Sequence, residues 1–176
     1  MPAAIPTLRH PAPLPQRGFS LIELIVVVVV LGILAVTALP RLASLTEESH
    51  RSVLAGIAAS FRSAVSLASS ACILRNFAGR DNLPVFGAGN MDFNANCFPS
   101  STSGNNNLNI NANRCIQVWN GILSPAPTIS TPAVDTTDFR AQGGGTTCTF
   151  TYRDDTDTLR RFTYNAATGA IGVVNP

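Results

Sequence analysis

The stretch Arg17-Gly18-Phe19-Ser20-Leu21-Ile22-Glu23-Leu24-Ile25-Val26-Val27-Val28-Val29-Val30-Leu31-Gly32-Ile33-Leu34-Ala35-Val36-Thr37-Ala38-Leu39-Pro40 decides how the rest of the chain is read. From Phe19 to Leu39, 21 residues carry one ionisable side chain, Glu23. A helix needs about 20 apolar residues to cross a hydrocarbon core about 30 Å thick, and this run is long enough. A secretory signal has an apolar region of only about 7–15 residues, followed by a small-residue cleavage site. Here Pro40-Arg41-Leu42 comes next instead. Arg9, His10 and Arg17 precede the run. The positive-inside rule therefore leaves the N-terminus in the cytoplasm and exports the remainder of the chain.

Glu23 is the exception inside the run. A carboxylate within a transmembrane helix costs about 2.5–3.5 kcal/mol on insertion scales, so one found there tends to have a partner. It sits one turn from the membrane edge, where it either reaches water or meets a cation.

Outward from this stretch the composition changes. The 176 residues suit one domain plus an appendage. Hydrophobic residues make up 45% and charged residues 12%, with the apolar excess concentrated in the run. The net charge of +2 comes from Arg9 and Arg17; without the first 18 residues, ten arginines face ten acids. That balance gives no basic patch for a nucleic-acid partner. All twelve basic residues are Arg, and nothing in the sequence explains the absence of Lys.

Past Pro40, apolar or small residues recur at Leu42, Leu45, Ser49, Val53, Ile57, Phe61, Val65, Ala68 and Cys72. Every step is three or four residues, the stripe of an amphipathic helix. A helix from Phe19 to Asn76 would be roughly 85 Å long at about 1.5 Å per residue. Gly32 and Pro40 interrupt it, and Pro40 removes a donor and crowds the preceding turn, which predicts a kink or unwound stretch over Gly32–Pro40. The domain plan is an N-terminal segment over 1–18, a transmembrane helix over 19–39, its amphipathic continuation over 40–76 and a globular head over 77–176.

Within the head, 79–89 reads as a Gly/Pro/Asp loop and Met91-Asp92-Phe93 as a short strand. Residues 99–113 are a polar Ser/Asn/Gly stretch. Arg114–Leu123 has apolar residues at Cys115, Val118, Trp119, Ile122 and Leu123, a short helix capped by Asn111 or Asn113. Residues 124–138 are a Pro/Thr-rich connection. Three antiparallel strands close the chain, over 146–153, 159–165 and 170–174, with turns at 154–158 and 166–169. Phe150, Tyr152, Phe162 and Tyr164 alternate with polar residues, as one half-buried sheet face requires. A long helix packed on an antiparallel sheet is an α+β architecture.

Residues Arg17-Gly18-Phe19-Ser20-Leu21-Ile22-Glu23-Leu24 resemble the processing site of type IV prepilins and type II secretion pseudopilins. The resemblance implies the pilin fold and a structural subunit, not an enzyme, of a surface filament. It also implies cleavage between Gly18 and Phe19 by a membrane-embedded prepilin peptidase, which then N-methylates Phe19. The segment over 1–18 is, by the same resemblance, a cytoplasmic leader that is removed. Gly before the cut makes steric sense, since a backbone without a Cβ enters a narrow cleft. Glu23 becomes the fifth mature residue and, by the resemblance, meets the free amine of Phe19 on a neighbouring subunit. Proteolysis creates that amine, so assembly depends on processing. The implied partners are the peptidase/N-methyltransferase, other copies and related pilins, and an inner-membrane assembly platform. The subunit is single-pass in the inner membrane before it joins the surface pilus.

Phe98-Pro99, then Cys115-x-x-x-Trp119-x-x-Ile122-Leu123, Cys148-x-Phe150-x-Tyr152 and Thr163-Tyr164-x-x-x-x-Gly169 resemble the mannose-sensitive haemagglutinin pilin group. Cys97 stands before Phe98-Pro99 where that group often has Gly-Tyr-Pro, and the 18-residue leader is long for a subunit beginning with Phe. A type II secretion pseudopilin is the alternative, since it shares the N-terminal signature. Four cysteines, all exported, fit an oxidising compartment and allow three pairings. The family pattern implies Cys115–Cys148, with Cys72–Cys97 remaining. The first would close 33 positions and stabilise by roughly 3–4 kcal/mol.

Other constellations point to no cofactor, metal or catalysis. No Cys-x-x-Cys spacing exists and no His lies near a Cys. Arg153-Asp154-Asp155-Thr156-Asp157 has carboxylates for calcium but lacks the Gly and distal Glu of an EF-hand, and reads as a hairpin turn. Gly143-Gly144-Gly145 has no following Lys and is no phosphate loop. His50, beside Arg51, reads as a solvated surface residue. No nucleophile–base pair is identifiable. Asn105–Asn113 reads as an exposed loop, from which cell adhesion cannot be inferred.

Overall fold

The computed structural model describes residues 18–134, 136–154 and 160–174, with the backbone alone at 39, 40 and 42–44. Residues 1–17 of the expected leader, and residues 155–159, on which most of the expected 154–158 turn and of the calcium reading falls, lie outside the described residues. The apolar run becomes helix α1, Leu21–Leu74, of 54 residues. The chain divides into two units, Met1–Ser44 and Leu45–Pro176, and α1 contributes to both.

In the first unit α1 is greasy all round. Its Leu21–Ala38 stretch has a mean hydropathy of 2.9, and none of it is buried. In the single chain the helix runs through Gly32 and Pro40 without an unwound stretch. A proline removes one ladder bond, and a helix can survive that loss while the bonds on either side persist.

In the second unit α1 buries Leu54, Ala58, Phe61, Val65, Ala68 and Cys72. These steps of four and three continue the predicted stripe from Phe61 onward. Upstream the stripe lies elsewhere: Leu54 and Ala58 are inside, while Val53 is 40% exposed and Leu45 63% exposed. Both phases satisfy helical spacing, so periodicity alone could not choose between Val53 and Leu54.

After α1 come β1 (Asp92–Phe93) and β2 (Pro99–Ser101), which pair antiparallel. Helix α2 spans Ala112–Ile122, two residues earlier than Arg114, because Asn111 is its cap and accepts from the Arg114 amide. Next in the chain is a five-stranded sheet of β3 (Ile129–Ser130), β4 (Phe139–Gly144), β5 (Thr147–Tyr152), β6 (Arg161–Asn165) and β7 (Ile171–Val174), in that order. β3 runs parallel to β4 and the other pairs are antiparallel, so the α+β fold carries a mixed sheet. Neither β2, β3 nor β4 was legible. β4 reads Phe-Arg-Ala-Gln-Gly-Gly, whose apolar positions are too few to announce a strand.

The inner sheet face meets both helices through aromatic rings. Phe61 lies 5.2 Å from Phe150 and 5.5 Å from both Phe162 and Tyr164, centroid to centroid. Trp119 lies 4.9 Å from Phe139 and from Phe150. Its indole N–H donates to the Pro127 carbonyl at 2.9 Å, so the ring is buried with its polar atom satisfied. Tyr164 is fully buried, which raises its phenol pKa, and it donates to the Pro99 carbonyl at 2.7 Å.

Disulfides Cys72–Cys97 and Cys115–Cys148 tie α1 to the β1–β2 connection and α2 to β5. Gly143 has a packing reason: a Cβ there would lie 2.4 Å from the Asn111 carbonyl carbon, so β4 can pass the start of α2 only without a side chain. Arg160, 2% exposed, pairs with Glu47, which also takes Arg51 one turn along α1 at 3.7 Å. His50 corrects its reading as a solvated residue: it is half-buried, with its ring 5.6 Å from that of Tyr152.

Candidate assembly site

Gly18, Phe19 and Ser20 form a short non-helical segment before α1. Phe19 is 87% exposed, and a glycine Cβ at position 18 would meet nothing within 4 Å. Among the described residues nothing crowds the Gly18–Phe19 step. The helix starts at Leu21, and its first bond of this kind runs from the Leu24 amide to the Ser20 carbonyl at 3.2 Å.

Glu23 lies in the first turn of α1, where the helix dipole favours a negative charge. It is exposed and has no ion pair among the described residues. Around and beyond it, Leu21, Ile22, Leu24 and Ile25 are 48–75% exposed. An apolar cylinder with one carboxylate near its open end is thus without cover in the single chain. The stretch from Leu21 to Ala38 is 18 residues, about 27 Å at the helical rise, close to a hydrocarbon core.

A second centre was missed in the sequence. Asp92 is fully buried and accepts the Asn82 amide at 3.0 Å, the Gly104 amide at 2.8 Å, the Asn105 amide at 3.1 Å and the Ser101 hydroxyl. Burial pushes its carboxyl up, but the bonds from Ser101 and the amides of Asn105, Asn82 and Gly104 outweigh that and hold it below the ordinary value.

Arg114 in α2 is 6% exposed and uses all five N–H donors. Nε gives to the Ser100 carbonyl at 3.1 Å. One terminal nitrogen gives to the Asn107 side chain and the Asn109 carbonyl, the other to the Asn105 and Asn107 carbonyls at 2.8 and 2.7 Å. Burial lowers its pKa, and the charge of Asp92 opposes the shift. The Asn-rich stretch is therefore a surface loop fastened from beneath. No periodicity reports this, because the loop is held by two single charged side chains, one on β1 and one on α2.

Among the described residues no three His, Cys, Asp or Glu side chains gather as a metal-binding group. A family model described as the prokaryotic N-terminal methylation motif matches residues 14–39, and so covers Gly18, Phe19, Glu23 and the apolar half of α1. No curated protein matches the chain, and no solved structure matches it.

Proposed function

We propose that this chain is the precursor of a structural subunit of a type IV pilus-like filament, cut between Gly18 and Phe19 and N-methylated at Phe19. The observation that carries the reading is the methylation motif over residues 14–39, with its Gly-Phe step in an open segment before an uncovered apolar helix. The prepilin peptidase/N-methyltransferase is its first partner, and other subunits are its later ones. The carboxylate of Glu23 pairs with the Phe19 amine of a neighbour, a contact that exists only after cleavage. In a water-poor setting that pairing is favourable when both charges are present and costly when one is removed. The apolar half of α1 holds the subunit in the inner membrane, N-terminus inward, until it enters the filament.

The arrangement of Cys115, Trp119, Cys148 and Phe150 around one core supports the mannose-sensitive haemagglutinin branch over a secretion pseudopilus. Gly18→Asp tests the reading. The full-length precursor should accumulate in the inner membrane, with no shortened subunit and no filaments. A normally processed Gly18→Asp subunit would overturn it.

A further inference from the structure

The sheet face turned away from α1 and α2 carries two arginines in one cross-strand row. Arg140 in β4 stands opposite Thr151 in β5, and Thr151 stands opposite Arg161 in β6. The next row on that face is Gln142, Thr149 and Thr163. Together with Val174 these side chains line one open depression of about 380 Å³. Neighbouring strands are about 4.8 Å apart, so the two arginine backbones lie roughly 10 Å apart, with Thr151 between them. Thr151, between them in the row, is 4% exposed.

This row departs from what sheets ordinarily do. Cross-strand charges are favourable when opposite in sign, and β4–β7 contain no acid. Arg140 and Arg161 are half-buried, and neither has an ion pair or side-chain hydrogen bond among the described residues. Nε of Arg140 is buried without a partner. The side chains of Gln142, Thr149 and Thr151 also have donors to spare. A partly desolvated guanidinium with no protein acceptor keeps its N–H donors available to an acceptor from outside.

We propose that this face is an oxyanion site, at which Arg140 and Arg161 together take one phosphate or sulfate group. The guanidinium fork presents two parallel N–H donors to the edge of a tetrahedral oxyanion, and two forks from neighbouring strands can grip different edges of it. The hydroxyls of Thr149 and Thr151 and the amide of Gln142 supply neutral donors. The site lies within the second unit and does not depend on the filament reading.

The test titrates the full ¹⁵N-labelled chain in detergent micelles with inorganic phosphate and inorganic sulfate at fixed ionic strength, chloride serving as the control. The amides of Arg140, Thr151 and Arg161 should shift saturably with phosphate or sulfate and stay still with chloride. Arg140→Gln and Arg161→Gln should each weaken binding about tenfold or more. Arg140→Lys, which keeps the charge without the fork, should fall between. Arg80→Gln, away from this face, should leave binding unchanged. Shifts that match those caused by chloride, that never saturate, or that persist undiminished in both glutamine variants would overturn the proposal. The chloride comparison decides on the unaltered chain, so it stands even if a variant fails to fold.

Discussion

Asp92 and Arg114 hold the same residue by its two backbone groups: the Asn105 amide donates to the Asp92 carboxylate at 3.1 Å, and the Asn105 carbonyl accepts from Arg114 at 2.8 Å. A buried anion gathers the loop's N–H groups while a buried cation gathers its carbonyls. The loop over 102–109, which has no strand or helix of its own, is thus fastened at its amides by the anion and at its carbonyls by the cation.

Arg114→Met should therefore cost about 2–4 kcal/mol in thermal or denaturant unfolding, because it leaves several loop acceptors without donors. Arg114→Lys should recover only part of that, having three donors where the loop takes five. Full stability in Arg114→Met would mean that water replaces the guanidinium without cost.

The pH dependence of stability rests on Asp92. Its folded carboxyl lies below the ordinary value of 3.8. A group depressed on folding stabilises above its unfolded value, and that contribution disappears as pH falls through the folded value. Stability should fall on acidification below about pH 4. Asp92→Asn should flatten that acid limb and lower stability at neutral pH. Denaturant midpoints measured from neutral pH downward check both points, and an unchanged acid limb in Asp92→Asn would remove Asp92 from the account.

The phase of the α1 stripe gives a paired prediction. Leu54 is fully buried and Val53 is 40% exposed. Leu54→Ala should cost about 2–5 kcal/mol, as buried leucines do, against about 1 kcal/mol or less for Val53→Ala. Equal costs would contradict the phase that buries Leu54 and leaves Val53 at the surface.

Legibility in the sequence tracks the strength of local signals. The apolar run, the α1 periodicity from Phe61 onward and the alternation of Phe150, Tyr152, Phe162 and Tyr164 are long, repeated patterns, and each became the expected element. β3 and β4 were not legible, because Ile129-Ser130 is too short for a period and the end of β4 is glycine chosen for the approach of Asn111. The Asp92 and Arg114 anchors were hidden for another reason: their partners are mostly backbone groups, which no sequence pattern displays. At the N-terminus the methylation motif was legible in the residues themselves, while continuity through Pro40 depended on ladder bonds that spacing does not report.

The role proposed for Glu23 is tested by a variant that parts membrane insertion from assembly. Glu23→Ala removes a charge that is unfavourable in lipid, so insertion should be unharmed or slightly improved. Cleavage should persist, since the proposed cut rests mainly on Gly18. Filaments counted by electron microscopy should be few or absent although mature subunit is present in the membrane. Filaments in normal number would reduce Glu23 to a residue at the membrane edge.

The most direct measurement of the central claim is the mass of the mature chain's N-terminal peptide. Mass spectrometry of subunit from the native membrane or from sheared filaments should find a chain that begins at Phe19 and carries one methyl group on its α-amine, with residues 1–18 gone. A chain that retains its leader, or one whose N-terminus lies at any other residue, would contradict the account.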